Sequence, residues 1–144
     1  MTNPFQPGDV KTHSYTVQPA DFADFGPEAG GLVHAVMSTF ALARELEWAG
    51  RLFVLEMKEE GEEGIGTELS IEHHGPAFGG ETLSIRATFA ALHGAALRCT
   101  VEAWVGERLV ATGHTGQRIV SRARLAARFA ALQGEQGLAL PPLN

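Results

Sequence analysis

Three side chains of this sequence have the types and spacing of a proton-transfer site: Thr39, Glu47 and His73. The first two lie in "STFALARELEW", residues 38 to 48, whose apolar positions recur at helical spacing. Positions four apart on a helix fall on nearly one stripe, so Thr39, Ala43 and Glu47 line up, and the small alanine leaves room between hydroxyl and carboxylate. Glu45 points well away from that stripe. The stripe borders Val36, Phe40 and Leu46, and a carboxylate beside apolar residues needs a partner. His73 ends "GIGTELSIEHH", a run with strand alternation. Leu69, Ile71 and His73 share the face expected to meet the core, and Glu68, Ser70, Glu72 and His74 share the other. The adjacent histidines are therefore not a pair: His73 is expected at the rim of the inner face and His74 in water.

Hydroxyl, imidazole and carboxylate are the parts of a nucleophilic or water-activating relay. Imidazole takes up and returns a proton near neutrality, and a carboxylate fixes its tautomer. Each residue also has a plainer role. Thr39 can bond back to a helix carbonyl, Glu47 can sit at a solvated helix edge, and His73 can cap a strand end. The six histidines show no H-x-x-x-H or Cys/His spacing, so no metal site and no cofactor is expected.

The elements that must position this trio follow from the pattern. Residues 11 to 17, KTHSYTV, read as a short strand, and "QPADFADFGPEAGG" as a loop with one helical turn. Helical spacing extends from about Leu32 to Met57, with Gly50 weakening its middle. The acidic "KEEGEEG" at 58 to 64 reads as a solvated loop. Four alternating runs follow: TELSIEHH, TLSIRATFAAL, LRCTVEAWV and RLVATGHTGQRIVS. The short turns between them predict an antiparallel meander. Ser121 is placed to cap a last helix, RARLAARFAAL, before a loose LPPLN tail. The class is α+β, an antiparallel sheet wrapped around one long helix. The chain reads as one domain over 1–144, with an N-terminal strand and lid region at 1–31 and a C-terminal helix and tail at 121–144.

A net charge of −6 argues against nonspecific nucleic-acid binding. No apolar run is long enough to span a bilayer. MTNPFQPGDVK lacks the apolar stretch of a signal peptide, and the single cysteine, Cys99, suits a reducing compartment, so a cytoplasmic location is expected. Cys99 falls on an apolar strand face and is expected to be inert.

From about Thr39 to Val120 the chain resembles the fluoroacetyl-CoA thioesterase-like branch of the hot-dog thioesterases. The shared pattern is a Thr at the start of the central helix, Glu-Trp eight residues on (Glu47-Trp48), and a Gly-Thr strand (Gly66-Thr67) ending in His73. The resemblance implies the hot-dog fold and hydrolysis of an acyl-CoA thioester by Thr39, Glu47 and His73. It implies a homodimer, or a tetramer of such dimers, with sites at the subunit interface and the Gly66 backbone near the thioester carbonyl. "FADF" resembles the family's phenylalanine lid, which makes Phe22 and Phe25 lid candidates. Val36, Phe40 and Ala43 offer a lining for a small or medium acyl chain. The sequence departs from the family where GPEAGGLVH separates FADF from the helix, and where Gln117, followed by Arg118, replaces an arginine of the last strand. Fluoroacetyl preference is therefore not carried over. A noncatalytic module that holds an acyl-CoA shares every binding feature. A hydratase is disfavoured because no clear Asp/His pattern is found.

Overall fold

The computed structural model describes residues 1–136, so the LPPLN tail lies outside the described residues. The chain opens with β1 (Val10–Thr16), a 3-10 turn at Pro19–Asp21 and the short strand β2 (Phe22–Asp24). A second 3-10 turn, Pro27–Ala29, leads into β3 (Leu32–Met37), which folds back antiparallel on β2 with Phe22 opposite Met37. This corrects the expected helix start at Leu32 and the loop reading of the FADF segment. Two features override the helical spacing there. Gly30 and Gly31 turn the chain at φ of 94° and 71°, in the left-handed region that glycine enters without strain. Ser38 then caps the helix, its Oγ accepting the Ala41 N–H at 3.2 Å. Helix α1 therefore spans Thr39–Met57, with Thr39 as its first residue.

Gly50 does not end α1. A Cβ at this position would lie 2.5 Å from Thr115 Oγ1, so the missing side chain lets the helix lie directly on the sheet. The helix buries Leu42, Leu46, Ala49, Phe53 and Met57. They meet the inward residues of β5 (Thr82–His93), β6 (Ala96–Val105) and β7 (Arg108–Ser121), among them Ile85, Phe89, Leu97 and Val101. Each buried Leu or Phe contributes about 1.5–3 kcal/mol to folding. Cys99 is part of this core, and burial pushes its thiol up to about 11, which keeps it unreactive as expected.

The sheet has the order β1-β5-β6-β7-β4, where β4 is Glu62–His73, and its pairings are antiparallel. The expected meander holds for β5-β6-β7 only: β4 does not pair with β5, whose other neighbour is β1, but lies at the far edge against β7. The acidic stretch is not all loop: Glu62 and Glu63 open β4, and Glu63 holds Arg51, Lys58 and Arg122. Helix α2 (Arg122–Gln136) closes the described chain, with the Ser121 Oγ accepting the Arg124 N–H at 3.3 Å. Strands β1 and β4 are the sheet's edges. Among the described residues no strand pairs with the outer edge of β4, a liability that folded proteins usually cover.

Candidate active site

Strand β4 changes face partway. Gly64 and Gly66 point to the helix: a Cβ on Gly64 would meet Val54, and one on Gly66 would meet Glu47. The pairing with β7 then slips between Gly66 and Glu68, leaving Thr67 as an extra residue. This bulge reverses the parity. Beyond it the odd residues face inward, which delivers His73 to the start of α1. His73 Nδ1 lies 3.0 Å from Thr39 Oγ1. His73 stands at the rim of the inner face: its ring meets the start of α1 and remains exposed. His74 points outward, also exposed, with Nε2 2.7 Å from the Thr112 hydroxyl.

Glu47 occupies a different place. Its Oε1 would be 2.1 Å from a Cβ on Gly66, so the carboxylate rests against the bare glycine backbone. Gln117 is buried behind it and donates from Nε2 to the Glu47 carbonyl oxygen at 3.2 Å. Arg118 faces away and is exposed, as its strand parity predicts. The sequence expectation that Thr39, Glu47 and His73 converge meets a geometric limit within one chain. Glu47 lies two turns along α1 from Thr39, about 12 Å at 1.5 Å per residue. Gly66 lies seven residues from His73, roughly 20 Å along an extended strand. Thr39 and His73 are thus paired, while the Glu47 carboxylate is out of hydrogen-bond reach of the His73 ring.

The remaining site candidates divide. Phe25 is 64% exposed and packs against Phe40, itself 56% exposed, with ring centroids 5.9 Å apart and planes tilted by 56°. Phe40 therefore is not the core-facing residue that the spacing suggested. Phe22 turns inward, packing on the core with its ring close to Gly79. Val36 sits half-buried on β3 and bridges to Phe78, so it does not share the helix with Phe40 and Ala43. Leu69 and Trp48 are also exposed, at 40% and 42%. Phe25 and Phe40 meet at the start of α1, Leu69 lies on the edge strand β4, and the Trp48 ring lies edge-on to His13 at 6.5 Å between centroids.

A cavity of about 350 Å³ is lined by Glu47, Gly66 and Gln117 together with His13, Arg44, Glu45, Trp48 and Arg51. Here the sequence reading missed a polar cluster. Glu45 is only 7% exposed; one oxygen lies 3.2 Å from His13 Nε2 and the other accepts from Arg44 Nε at 2.8 Å. Arg44 also reaches the buried Asp21, which accepts from the Tyr15 hydroxyl at 2.6 Å and the Gln18 N–H at 2.8 Å. Burial pushes the Asp21 carboxyl up, but the Tyr15, Gln18 and Arg44 donors outweigh it and hold it below the usual range. The same bond to Asp21 raises the Tyr15 phenol, and Glu45 with Asp21 raises the Arg44 guanidinium. The missed signal was spacing: Glu45 stands three residues after Leu42 and four before Ala49, on the helix arc that faces the core.

No curated protein matches the chain. Among solved structures, a thioesterase superfamily member from Thermus thermophilus is 30% identical. It superposes with a TM-score of 0.87 over 94% of this chain and 98% of its own. The fluoroacetyl-CoA thioesterase FlK shares 22% identity with a TM-score of 0.80, over 88% of this chain and 96% of its own. A hot-dog-like protein from Thermanaerovibrio acidaminovorans shares 20% identity with a TM-score of 0.79, over 88% and 92%. These likenesses make the wrapped helix and sheet a hot-dog fold. The profile of the fluoroacetyl-CoA-specific thioesterases matches residues 17–123, the stretch that carries β2 through β7 with both the Thr39–His73 pair and Glu47, and the chain belongs to that thioesterase family.

Proposed function

We propose that the protein hydrolyses the thioester of a small or medium acyl-CoA, at a site assembled from two copies of the chain. The observation that carries this reading is the Thr39–His73 pair, at 3.0 Å on the exposed rim, with Glu47 set against the bare Gly66 farther along the same helix and strand. Variants of FlK have been crystallised with fluoroacetate and CoA and with acetyl-CoA, which supports a CoA thioester as the substrate class here. In this reading Glu47 draws a proton from water and the Gly66 backbone lies beside the thioester carbonyl. His73, hydrogen-bonded to Thr39, polarises or protonates the reacting group. Phe25 and Phe40 cover the acyl end, and Gln117 and Ala43 line its floor.

The second copy follows from the limit on reach. Thr39 and His73 belong to one protomer and Glu47 to its partner, related by a twofold axis along the β4 edge. Such a dimer pairs the free edge and covers Leu69, Trp48 and Phe40, three large apolar side chains left exposed in one chain. The test is thiol release from a panel of acyl-CoA substrates by wild type and by His73→Ala. The expected result is turnover on short or medium chains that falls about 10²–10⁴-fold in the variant while the fold is kept. Equal rates in the two proteins, or tight acyl-CoA binding without release, would favour the noncatalytic binding module.

A further inference from the structure

His13 has no role in the reading above, yet it lines the same cavity as Glu47. It sits half-buried on β1, and its Nε2 is 3.2 Å from Glu45 Oε1. The Arg44 guanidinium donates to the other Glu45 oxygen at 2.8 Å and favours the carboxylate, which makes Glu45 the acceptor and His13 Nε2 the donor in that contact. The proton therefore sits on His13 Nε2 in the neutral ring, and Nδ1 has no hydrogen-bond partner among the described residues. A carboxylate-oriented imidazole with one free nitrogen is a proton acceptor. The geometry points to His13, oriented by Glu45, as the group that receives the proton Glu47 takes from water.

The step rests on the thioesterase reading. A water O–H bond breaks as its oxygen bonds the acyl carbon, and the proton moves to the Glu47 carboxylate. The C–S bond breaks and the thiolate leaves with the electron pair. Glu47 passes its proton, through cavity water, to His13 Nδ1, and the imidazolium so formed is stabilised by Glu45. His13 then releases the proton to the thiolate or to solvent, and Glu47 is again a base. The charges facing His13 favour this direction. From α1 these are Glu45 and Glu47, with Arg44 committed to Asp21 and Glu45, and Arg51 committed to Glu63. On its own strand Lys11 is paired with Glu56 and Tyr15 with Asp21. Its neighbour on β5 is the apolar Ile85, and across the cavity stand the uncharged Gly66 and Gln117. His13 acts through Glu47 and is a positioning and relay residue.

Two measurements test it on the intact protein. Ring NMR of the free protein needs no turnover: Glu47→Gln should lower the pH at which His13 titrates, since it removes a facing negative charge. An unchanged midpoint would overturn the relay even if the protein is an active thioesterase. In the thiol-release assay, His13→Ala should lower kcat about 10–100-fold with KM little changed, below the full effect of a general base. Added imidazole should restore part of that loss, and Glu45→Gln should move the acidic limb of the kcat profile to lower pH. A kcat within twofold of wild type, or a loss that imidazole does not recover and that leaves the pH profile unmoved, would make His13–Glu45 a structural pair. Absence of thiol release from wild type itself would reject the thioesterase reading, and the relay with it.

Discussion

Replacing Asp21 by asparagine isolates the polar cluster that ties the FADF segment to α1. The asparagine keeps the shape and removes the charge. Asp21 Oδ2 accepts two bonds, from the Tyr15 hydroxyl and the Gln18 N–H, and Oδ1 accepts from Arg44 at 3.0 Å. If the amide oxygen keeps the Oδ2 contacts, its NH₂ faces the guanidinium, donor against donor. The charged bond lost at this buried site is worth about 1.5–3 kcal/mol. Arg44 is 59% exposed and keeps Glu45, so solvent screening brings the expected loss to the lower end, about 2 kcal/mol. The pH dependence has a definite sign. The folded Asp21 carboxyl lies below its ordinary value of 3.8, so its stabilisation is complete above that pH and is lost as pH falls through the lower folded value. Urea unfolding at fixed protein concentration reads both. At pH 7 the variant's midpoint should fall by about 1 M, for a slope of roughly 2 kcal/mol/M. The gap should narrow as both proteins are taken below pH 3. Equal midpoints at pH 7, or a gap that survives acidification unchanged, would refute the assignment of Asp21 as an ionised anchor.

Gly50→Ala should destabilise the fold, because the new Cβ starts 2.5 Å from Thr115 Oγ1 in a buried contact. Overpacking of about 1–3 kcal/mol should exceed the gain of up to about 1 kcal/mol from helix propensity, so thermal unfolding should move down. Gly66→Ala should leave the circular dichroism spectrum intact while thiol release falls at least roughly tenfold, well under the full value of a base, because its Cβ displaces the Glu47 carboxylate without removing it. Unchanged turnover would detach Glu47 from the chemistry.

The sequence carried the four long strands and the central helix because period two runs through most of each strand and period 3.6 through α1. It misplaced the helix start because LVHAVM has apolar residues that suit either element. What decides between them is Ser38 at the cap and the glycine turn before β3, both local signals weaker than the periodicity they interrupt. The inward direction of His73 was legible, but only because the run after Thr67 was read by itself. The bulge that reverses parity at this residue leaves no mark in the hydrophobic pattern. Glu45 was read only as pointing away from the Thr39–Glu47 stripe, and its place in a buried polar cluster was not seen. Its partners, Arg44 beside it and His13 on β1, are joined to it by tertiary packing alone.

Subunit complementation tests the two-copy site most directly. His73→Ala and Glu47→Gln are each prepared as inactive homodimers, then mixed, dissociated and reassembled. If Thr39 and His73 come from one protomer and Glu47 from its partner, each mixed dimer holds one site with both lesions and one intact site. With random reassortment about half of the dimers are mixed, and thiol release should return to about a quarter of the wild-type rate, by the twofold symmetry of the pairing. A mixture that stays as inactive as its parents, while native mass measurement shows mixed dimers present, would contradict the account.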